Sequence, residues 1–455
     1  MDFKKGDLKE ITIEKIVYGG EGLGYIDGFA IFVPMSVPGD KVIIEIISLK
    51  KTYGRGLIKE ILEKGKERVE SDSITFEEFH GCDFAMLEYE SQLKYKDDMV
   101  KDVMGKIGKI TNLDIPSILG AEDPYHYRNK VIEPFSLFNG NVITGFFKRR
   151  SHDVFEVEEN FLNSKVGNKI IKELKNILNT LDKKISVYDE KAHKGVLRHI
   201  MVRTNSIGEA MVVLIVNAQK ENPIILDVLK KLSERVQEVK SSYISINKDR
   251  TNFALGRDNH HISGAKTLKE NLFGIEFNIS PTSFFQINID QTKKLYQTAL
   301  DFSNGIQDKV VVDAYSGTGT IGMILSKKAK KVYAIEIVKS ATEDGKKTAL
   351  ENNIKNIEFI NGAFEDKLVE LLKSGIKVDS IFLDPPRKGV EEAALIHIAD
   401  TKIEELVYIS CNPSTLARDA AILETRGYKL DRLQPVDMFP QTSHIECVAR
   451  FVLVK

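Results

Sequence analysis

Three apolar segments in the C-terminal part of the chain end on residues that could do chemistry. The first, Leu406-Val407-Tyr408-Ile409-Ser410, runs into Cys411-Asn412-Pro413-Ser414. The cysteine sits where a strand ends and a helix begins, with Ser414 a candidate N-cap. A thiol near the free N–H groups of a helix start is favoured as thiolate, so Cys411 is a candidate nucleophile. An isolated buried cysteine is more often a small hydrophobe. Cys411, however, has company. Ile381-Phe382-Leu383 leads into Asp384-Pro385-Pro386-Arg387-Lys388-Gly389. Proline fixes φ, so this turn is stiff and would hold Asp384 at the carboxyl edge of a sheet. There an acid can orient a bound base or cofactor. Finally, His444-Ile445-Glu446-Cys447 reads as strand. Alternation puts His444 and Glu446 on one face, Ile445 and Cys447 on the other. Glu446 is a candidate general base, and Cys447 a packing residue.

A fourth segment points to a ligand. Val310-Val311-Val312-Asp313-Ala314-Tyr315-Ser316 enters Gly317-Thr318-Gly319-Thr320-Ile321-Gly322. Glycines let the backbone approach a ligand, and the helix start that follows favours negative charge. The spacing fits the dinucleotide fingerprint, which alone is weak. Glu336 ends the next strand and can accept hydrogen bonds from both hydroxyls of a ribose. It supports an adenosine-bearing ligand without choosing between NAD and S-adenosylmethionine. Asp313, ahead of the glycines, resembles the loop of Rossmann-like methyltransferases. Upstream, Phe284-Phe285-Gln286-Ile287-Asn288 offers a glutamine that could bind a polar cofactor group under aromatic cover.

These residues need a sheet to converge. From about 290, apolar runs over 309–313, 331–337, 357–360, 378–384 and 405–410 alternate with helical patterns. This rhythm predicts an α/β fold, a parallel sheet with helices on both faces. Residues 1–66 read as short strands with Gly and Pro punctuation, a small β-barrel. Residues 67–285 mix helices, over 87–108 and 161–181, with strands over 131–137, 142–147 and 200–216. The expected domains are therefore 1–66, 67–285 and 286–455. Three basic, aromatic stretches could contact nucleic acid: Lys50 to Gly56, Tyr125 to Lys130 and Phe146 to Arg150. The first could equally be a solvated hairpin tip, and for the other two a solvated strand edge is the favoured reading.

Composition narrows the class. With 455 residues, two or three domains are expected. The net charge of −1 leaves nucleic-acid binding to local patches. An odd set of three cysteines, Cys82, Cys411 and Cys447, argues against a secreted disulfide framework. The N-terminus lacks the apolar core of a secretory signal, and no run nears the roughly 20 apolar residues of a membrane span. A cytoplasmic, monomeric protein without membrane association is expected.

In order and spacing, Phe284-Phe285-Gln286-Ile287-Asn288, Asp313 to Gly319, Asp384-Pro385-Pro386-Arg387, Ser410-Cys411-Asn412-Pro413 and His444-Ile445-Glu446 resemble the bacterial RNA uracil-5-methyltransferase family. The N-terminal barrel looks like a TRAM domain, an OB-like RNA-binding module. The resemblance implies a Rossmann-like class I methyltransferase domain and S-adenosylmethionine as cofactor. It implies that Gln286, Tyr315, Gly317, Glu336 and Asp384 bind the cofactor. It implies that Cys411 is the nucleophile and Glu446 the proton acceptor. RNA is then the partner, with 23S ribosomal RNA favoured over transfer RNA, because the transfer-RNA branch typically lacks TRAM. Many relatives hold an iron–sulfur cluster on four cysteines near the barrel. Here the matching stretch Phe79-His80-Gly81-Cys82-Asp83-Phe84 has one, so no cluster is expected.

Two other classes compete. An NAD-dependent dehydrogenase satisfies the glycine spacing but leaves Cys411, Glu446 and the Asp-Pro-Pro turn without a joint role. A non-catalytic RNA-binding factor needs only the barrel and the basic loops.

Overall fold

A computed structural model describes residues 3–69, 81–148, 151, 153–218, 222–250 and 253–454. Contacts divide the chain into two compact units: Met1–Glu122 with Asp290–Lys455, and Asp123–Ile289. Residues 67–122, expected in the central domain, thus cluster with the N- and C-terminal parts.

The first unit opens with β1 (Leu8–Ile16), β2 (Gly22–Ile26), β3 (Phe29–Val33), β4 (Lys41–Leu49) and β5 (Tyr53–Glu63). They close into a barrel in the order β1-β2-β3-β5-β4. Strand alternation explains its core: Val42, Ile44 and Ile46 of β4 point inward to Ile11, Ile13, Ile31 and Val33. Asp40, in the Pro38-Gly39-Asp40 turn, is fully buried. Its carboxylate accepts from Val37 N at 2.7 Å, Gly65 N at 2.9 Å and Arg68 Nη2 at 2.5 Å, fastening the chain as it leaves the barrel. Helix α1 (Tyr89–Lys106) follows and buries Met99, Val100, Val103 and Met104.

The second unit carries β6 (Lys130–Phe138), β7 (Asn141–Phe147), β8 (Val154–Glu156), α2 (Lys165–Asn179), β9 (Leu197–Thr204), β10 (Ala210–Val216), α3 (Pro223–Arg235), β11 (Val239–Ile246), β12 (Asp258–Gly264), β13 (Leu268–Leu272) and β14 (Ile275–Ile279). The expected single strand over 200–216 is two, β9 and β10, turning at Asn205–Gly208 with Gly208 at φ +83°. The main sheet runs β12-β11-β10-β9-β6-β7-β8. The apolar stripe Ile170, Ile171, Leu174, Ile177 and Leu178 of α2 packs into the core built on that sheet.

The rest of the first unit holds α4 (Ile289–Phe302), β15 (Val310–Ala314), α5 (Thr320–Ser326), β16 (Lys331–Glu336), α6 (Lys339–Glu351), β17 (Ile357–Asn361), α7 (Phe364–Lys373), β18 (Ser380–Leu383), α8 (Glu392–Asp400), β19 (Glu405–Ser410), α9 (Pro413–Thr425), β20 (Tyr428–Val436) and β21 (Glu446–Leu453). The sheet order is β17-β16-β15-β18-β19-β21-β20. The first five strands are parallel, but β19–β21 and β21–β20 pair antiparallel, so the sheet is mixed. β18 and β19 are buried at every position, as strands covered on both faces must be.

Candidate active site

The registers of this sheet decide which residues meet. Ala314 pairs with Ile335 on one side and Leu383 on the other, and Leu383 pairs with Tyr408. Tyr315, Glu336, Asp384 and Cys411 therefore leave the sheet at one carboxyl edge, where open α/β folds bind ligands. The antiparallel pairing brings in the start of β21. Ser410 faces Cys447. Continued by one residue, that register leads to Cys411 and Glu446, and the Glu446 charge acts on the Cys411 thiol.

The ligand loop is built by backbone demands. Ser316 N donates to Ile335 O at 3.0 Å, and Gly319 N to Ser316 O at 2.7 Å. Gly319 stands at φ +77°, and a Cβ there would collide with the Phe359 ring. Gly322 N donates to Asp313 Oδ2 at 2.7 Å, so Asp313 anchors the first turn of α5. Burial raises Asp313 to about 8. Gly317, at φ +55°, has open space where a Cβ would stand. Its N–H donates to Glu336 Oε2 at 2.9 Å, while Val338 N donates to Oε1 at 2.7 Å. Glu336 is thereby locked in place, with remaining lone pairs for a ribose diol. Tyr315, at a positive φ of 57°, holds its hydroxyl against Glu365 at 2.9 Å. The residues fit an adenosyl ligand: an oriented carboxylate, an open backbone cradle and a second acid, Asp384.

The Cys411 loop departs from expectation at two points. The N-cap of α9 is Asn412 rather than Ser414. Its Oδ1 accepts from Ser414 N at 3.0 Å and Thr415 N at 3.4 Å, with Pro413 in the first turn. The thiol is also not favoured as thiolate. Burial pushes Cys411 up to about 11, and the negative charges of Glu446 and Asp384 add to this. Arg387 opposes it. The helix start is outweighed by this burial, with the two carboxylates Glu446 and Asp384 adding to it. Burial, with Asp384 beside it, likewise raises Glu446 well above the ordinary carboxylate range, and burial raises Asp384 to about 7.

Since a thiol reacts as thiolate, alkylation of Cys411 by iodoacetamide in the cofactor-free protein should be slow at neutral pH. Its rate should climb about tenfold per pH unit toward the raised pKa. Mass spectrometry of the Cys411 peptide across pH measures this. A plateau at or below about pH 8.5, the value of an ordinary cysteine, would contradict the assignment. Cys82 and Cys447 are buried and do not compete.

The segment carrying Glu446 is held from behind by α1 and the residues before it. Lys96 and Asp437, both fully buried, pair at 2.5 Å, and Tyr89 OH donates to Asp437 Oδ2 at 2.8 Å. Removing one partner of such a buried pair costs about 3–5 kcal/mol. Gln92 exchanges hydrogen bonds with Gln441, and Ser443 N donates to Asp83 Oδ1 at 3.0 Å. The expected alternation across His444 does not hold, because β21 begins only at Glu446. His444 is exposed, its ring edge-on to Phe439, while Glu446 is buried. Cys447 packs as expected, with its thiol pushed up by burial.

The structure thus gathers Tyr315, Gly317, Glu336, Asp384, Cys411 and Glu446 at one edge of the first unit. Gln286 belongs to the second unit, where its carbonyl accepts from Asn129 Nδ2 at 2.9 Å. Arg387 and Asn412 were passed over as functional residues. The Asn-Pro pair was the available signal for the cap. In the barrel, Tyr53 packs edge-on against Phe32, and Arg55 is bidentate to Glu21, its Nε and Nη2 each donating at 3.0 Å. Lys50 and Lys51 remain as exposed cations of that hairpin. In the second unit Lys130 is largely covered, and burial lowers it to about 8. Arg149 and Arg150, like Phe79 and His80, lie outside the described residues. Among the described residues no group of His, Cys, Asp and Glu could hold a metal ion, and no helix is long and apolar enough to cross a membrane.

The chain is similar to known proteins. The family described as tRNA (Uracil-5-)-methyltransferase matches residues 88–453, and the TRAM domain matches residues 2–59. An uncharacterized RNA methyltransferase of Fusobacterium nucleatum is 61% identical over 445 residues, 98% of this chain and 96% of that protein. One from Clostridium tetani is 41% identical over 446 residues, again 98% and 96%. The crystal structure of Pyrococcus abyssi tRNA (uracil-54, C5)-methyltransferase in complex with S-adenosyl-L-homocysteine matches with a TM-score of 0.78 at 25% identity, covering 98% of this chain and 100% of that one. A dehydrogenase reading of the glycine loop does not survive these matches. The chain belongs to the S-adenosylmethionine-dependent RNA (uracil-5-)-methyltransferase family.

Proposed function

We propose that this enzyme forms 5-methyluridine in 23S ribosomal RNA, with Cys411 as nucleophile and Glu446 as base. The observation that carries the reading is the β19–β21 register, which runs Cys411 and Glu446 together at the edge where Glu336 and Asp384 also end. C5 of uracil is too weak a nucleophile to take a methyl group directly. Addition of the Cys411 thiolate to C6 pushes the C5–C6 π pair toward C5 and the C4 carbonyl, making C5 nucleophilic. S-adenosylmethionine, when bound, supplies an electrophilic methyl on sulfur. After C5 has taken that methyl, Glu446 as carboxylate accepts the C5 proton, the C5–C6 double bond re-forms and the Cys411–C6 bond breaks. The target base must leave its stack to reach a thiol at a sheet edge.

On the cofactor side we assign Glu336 to the ribose hydroxyls. Gly317 gives the close backbone approach, Tyr315 flanks the ligand, and Asp384 holds a polar group. Arg387 offsets the charge that the thiolate and carboxylates would build up.

Ribosomal RNA is favoured by the TRAM match. The Pyrococcus relative, whose substrate is transfer RNA, covers the whole chain and supports transfer RNA as the second reading. An RNA substrate and three cysteines outside any disulfide suit the reducing cytoplasm. Mapping 5-methyluridine in ribosomal and transfer RNA from cells with and without the protein separates the two. Loss from 23S ribosomal RNA alone is the expected result, and loss from transfer RNA alone would overturn the ribosomal assignment.

A further inference from the structure

One turn of the N-terminal barrel reaches both catalytic loops. The turn between β1 and β2 is tight: Val17 N donates to Glu21 O at 3.0 Å and Gly20 N to Val17 O at 2.9 Å, with Gly19 and Gly20 at φ +96° and +82°. It presents Tyr18, which is 39% exposed. The Tyr18 hydroxyl donates to Asn412 Oδ1 at 2.6 Å. Asn412 is the residue after Cys411, and both ends of its side-chain amide are engaged. Besides the two N–H groups of α9, its Nδ2 donates to Arg387 O at 3.1 Å. One side chain thus ties the thiol loop, the Asp384–Arg387 turn and the barrel together. The same turn abuts the loop that leads to Glu446. A Cβ on Gly20 would stand 2.5 Å from Ser443 Cβ and 2.9 Å from Asp83 Oδ2. On its barrel side the turn is fixed by the Glu21–Arg55 pair at 3.0 Å.

We infer that Tyr18 is a positioning residue for the methyl-transfer reaction: its hydroxyl, through Asn412, fixes the loop that aims Cys411. The hydroxyl stays protonated and a donor, since burial raises its pKa. A barrel tethered only for RNA affinity has no need of a hydrogen bond to the neighbour of the nucleophile. The inference rests on the reading of Cys411 as nucleophile.

Tyr18→Phe in the full chain keeps the ring and removes only the donor. At saturating RNA and S-adenosylmethionine, kcat should fall about tenfold, as expected for a misaimed nucleophile. KM for RNA and the melting temperature should stay unchanged, and the rate of Cys411 alkylation should shift. An unchanged kcat would overturn the inference. So would a raised KM with unchanged kcat, which would make the hydroxyl an RNA contact. Cys411→Ala assayed alongside separates the two levels. An inactive Cys411→Ala with a fully active Tyr18→Phe overturns the role of Tyr18 alone. A turning-over Cys411→Ala overturns the nucleophile reading and this inference with it.

Discussion

Cys411→Ala is expected to abolish methyl transfer, with a loss on the order of 10⁴-fold or more, as for other covalent nucleophiles. The physical reason is specific to the substrate. Without addition at C6 there is no electron-rich C5, and neither acids nor cofactor contacts can replace the missing bond. The variant should fold normally. Cys411 is partly exposed, and its thiol is not the group that caps α9, since Asn412 does that. Its melting temperature should still rise with S-adenosylmethionine, because the ligand loop is built on Gly317, Glu336 and Asp313. Transfer of a labelled methyl group to RNA, followed with the thermal shift, checks both halves. Loss of cofactor binding together with activity would mean a folding defect rather than a missing nucleophile.

Glu446→Gln should give the opposite kinetic picture. Glutamine matches the neutral acid in shape and keeps an acceptor, but cannot take up a proton. Because burial and Asp384 already disfavour the charged form of Glu446, the replacement should cost little stability. Methyl transfer should proceed once per enzyme and then stall, because the C5 proton is not removed and the thiolate cannot leave. Turnover should fall about 10²–10⁴-fold, the usual weight of a general base. A protein–RNA species resistant to denaturant should accumulate. Gel electrophoresis of the reaction checks this, and free release of methylated RNA at the normal rate would remove Glu446 from the base role.

Much of this site was legible because it lies at strand ends. Apolar runs such as Val310-Val311-Val312 and Leu406-Val407-Tyr408 announce buried parallel strands, and residues just after them must gather at one edge. The barrel was legible for a similar local reason, alternation in β4. What escaped depends on contacts far apart in sequence. The ionisation of Cys411 is set by burial first and then by Glu446 and Asp384, which come from β21 and the turn after β18, and no reading of the Cys-Asn-Pro stretch alone contains them. The start of β21 at Glu446 depends on pairing with β19 and β20 and on the contacts of Gln441 to Gln92 in α1 and of Ser443 to Asp83 before it. Tyr18 and Asn412 stand 394 positions apart. The Asn412 cap is different: Asn-Pro at a strand-to-helix junction is a local pattern that outranks a serine two residues later.

The most direct test is peptide mapping of the species trapped by Glu446→Gln, after RNase digestion, by mass spectrometry. The account predicts a methylated uridine nucleotide covalently attached to the peptide carrying Cys411, and to no other cysteine. An unmodified Cys411 peptide from an enzyme that still makes 5-methyluridine would contradict it.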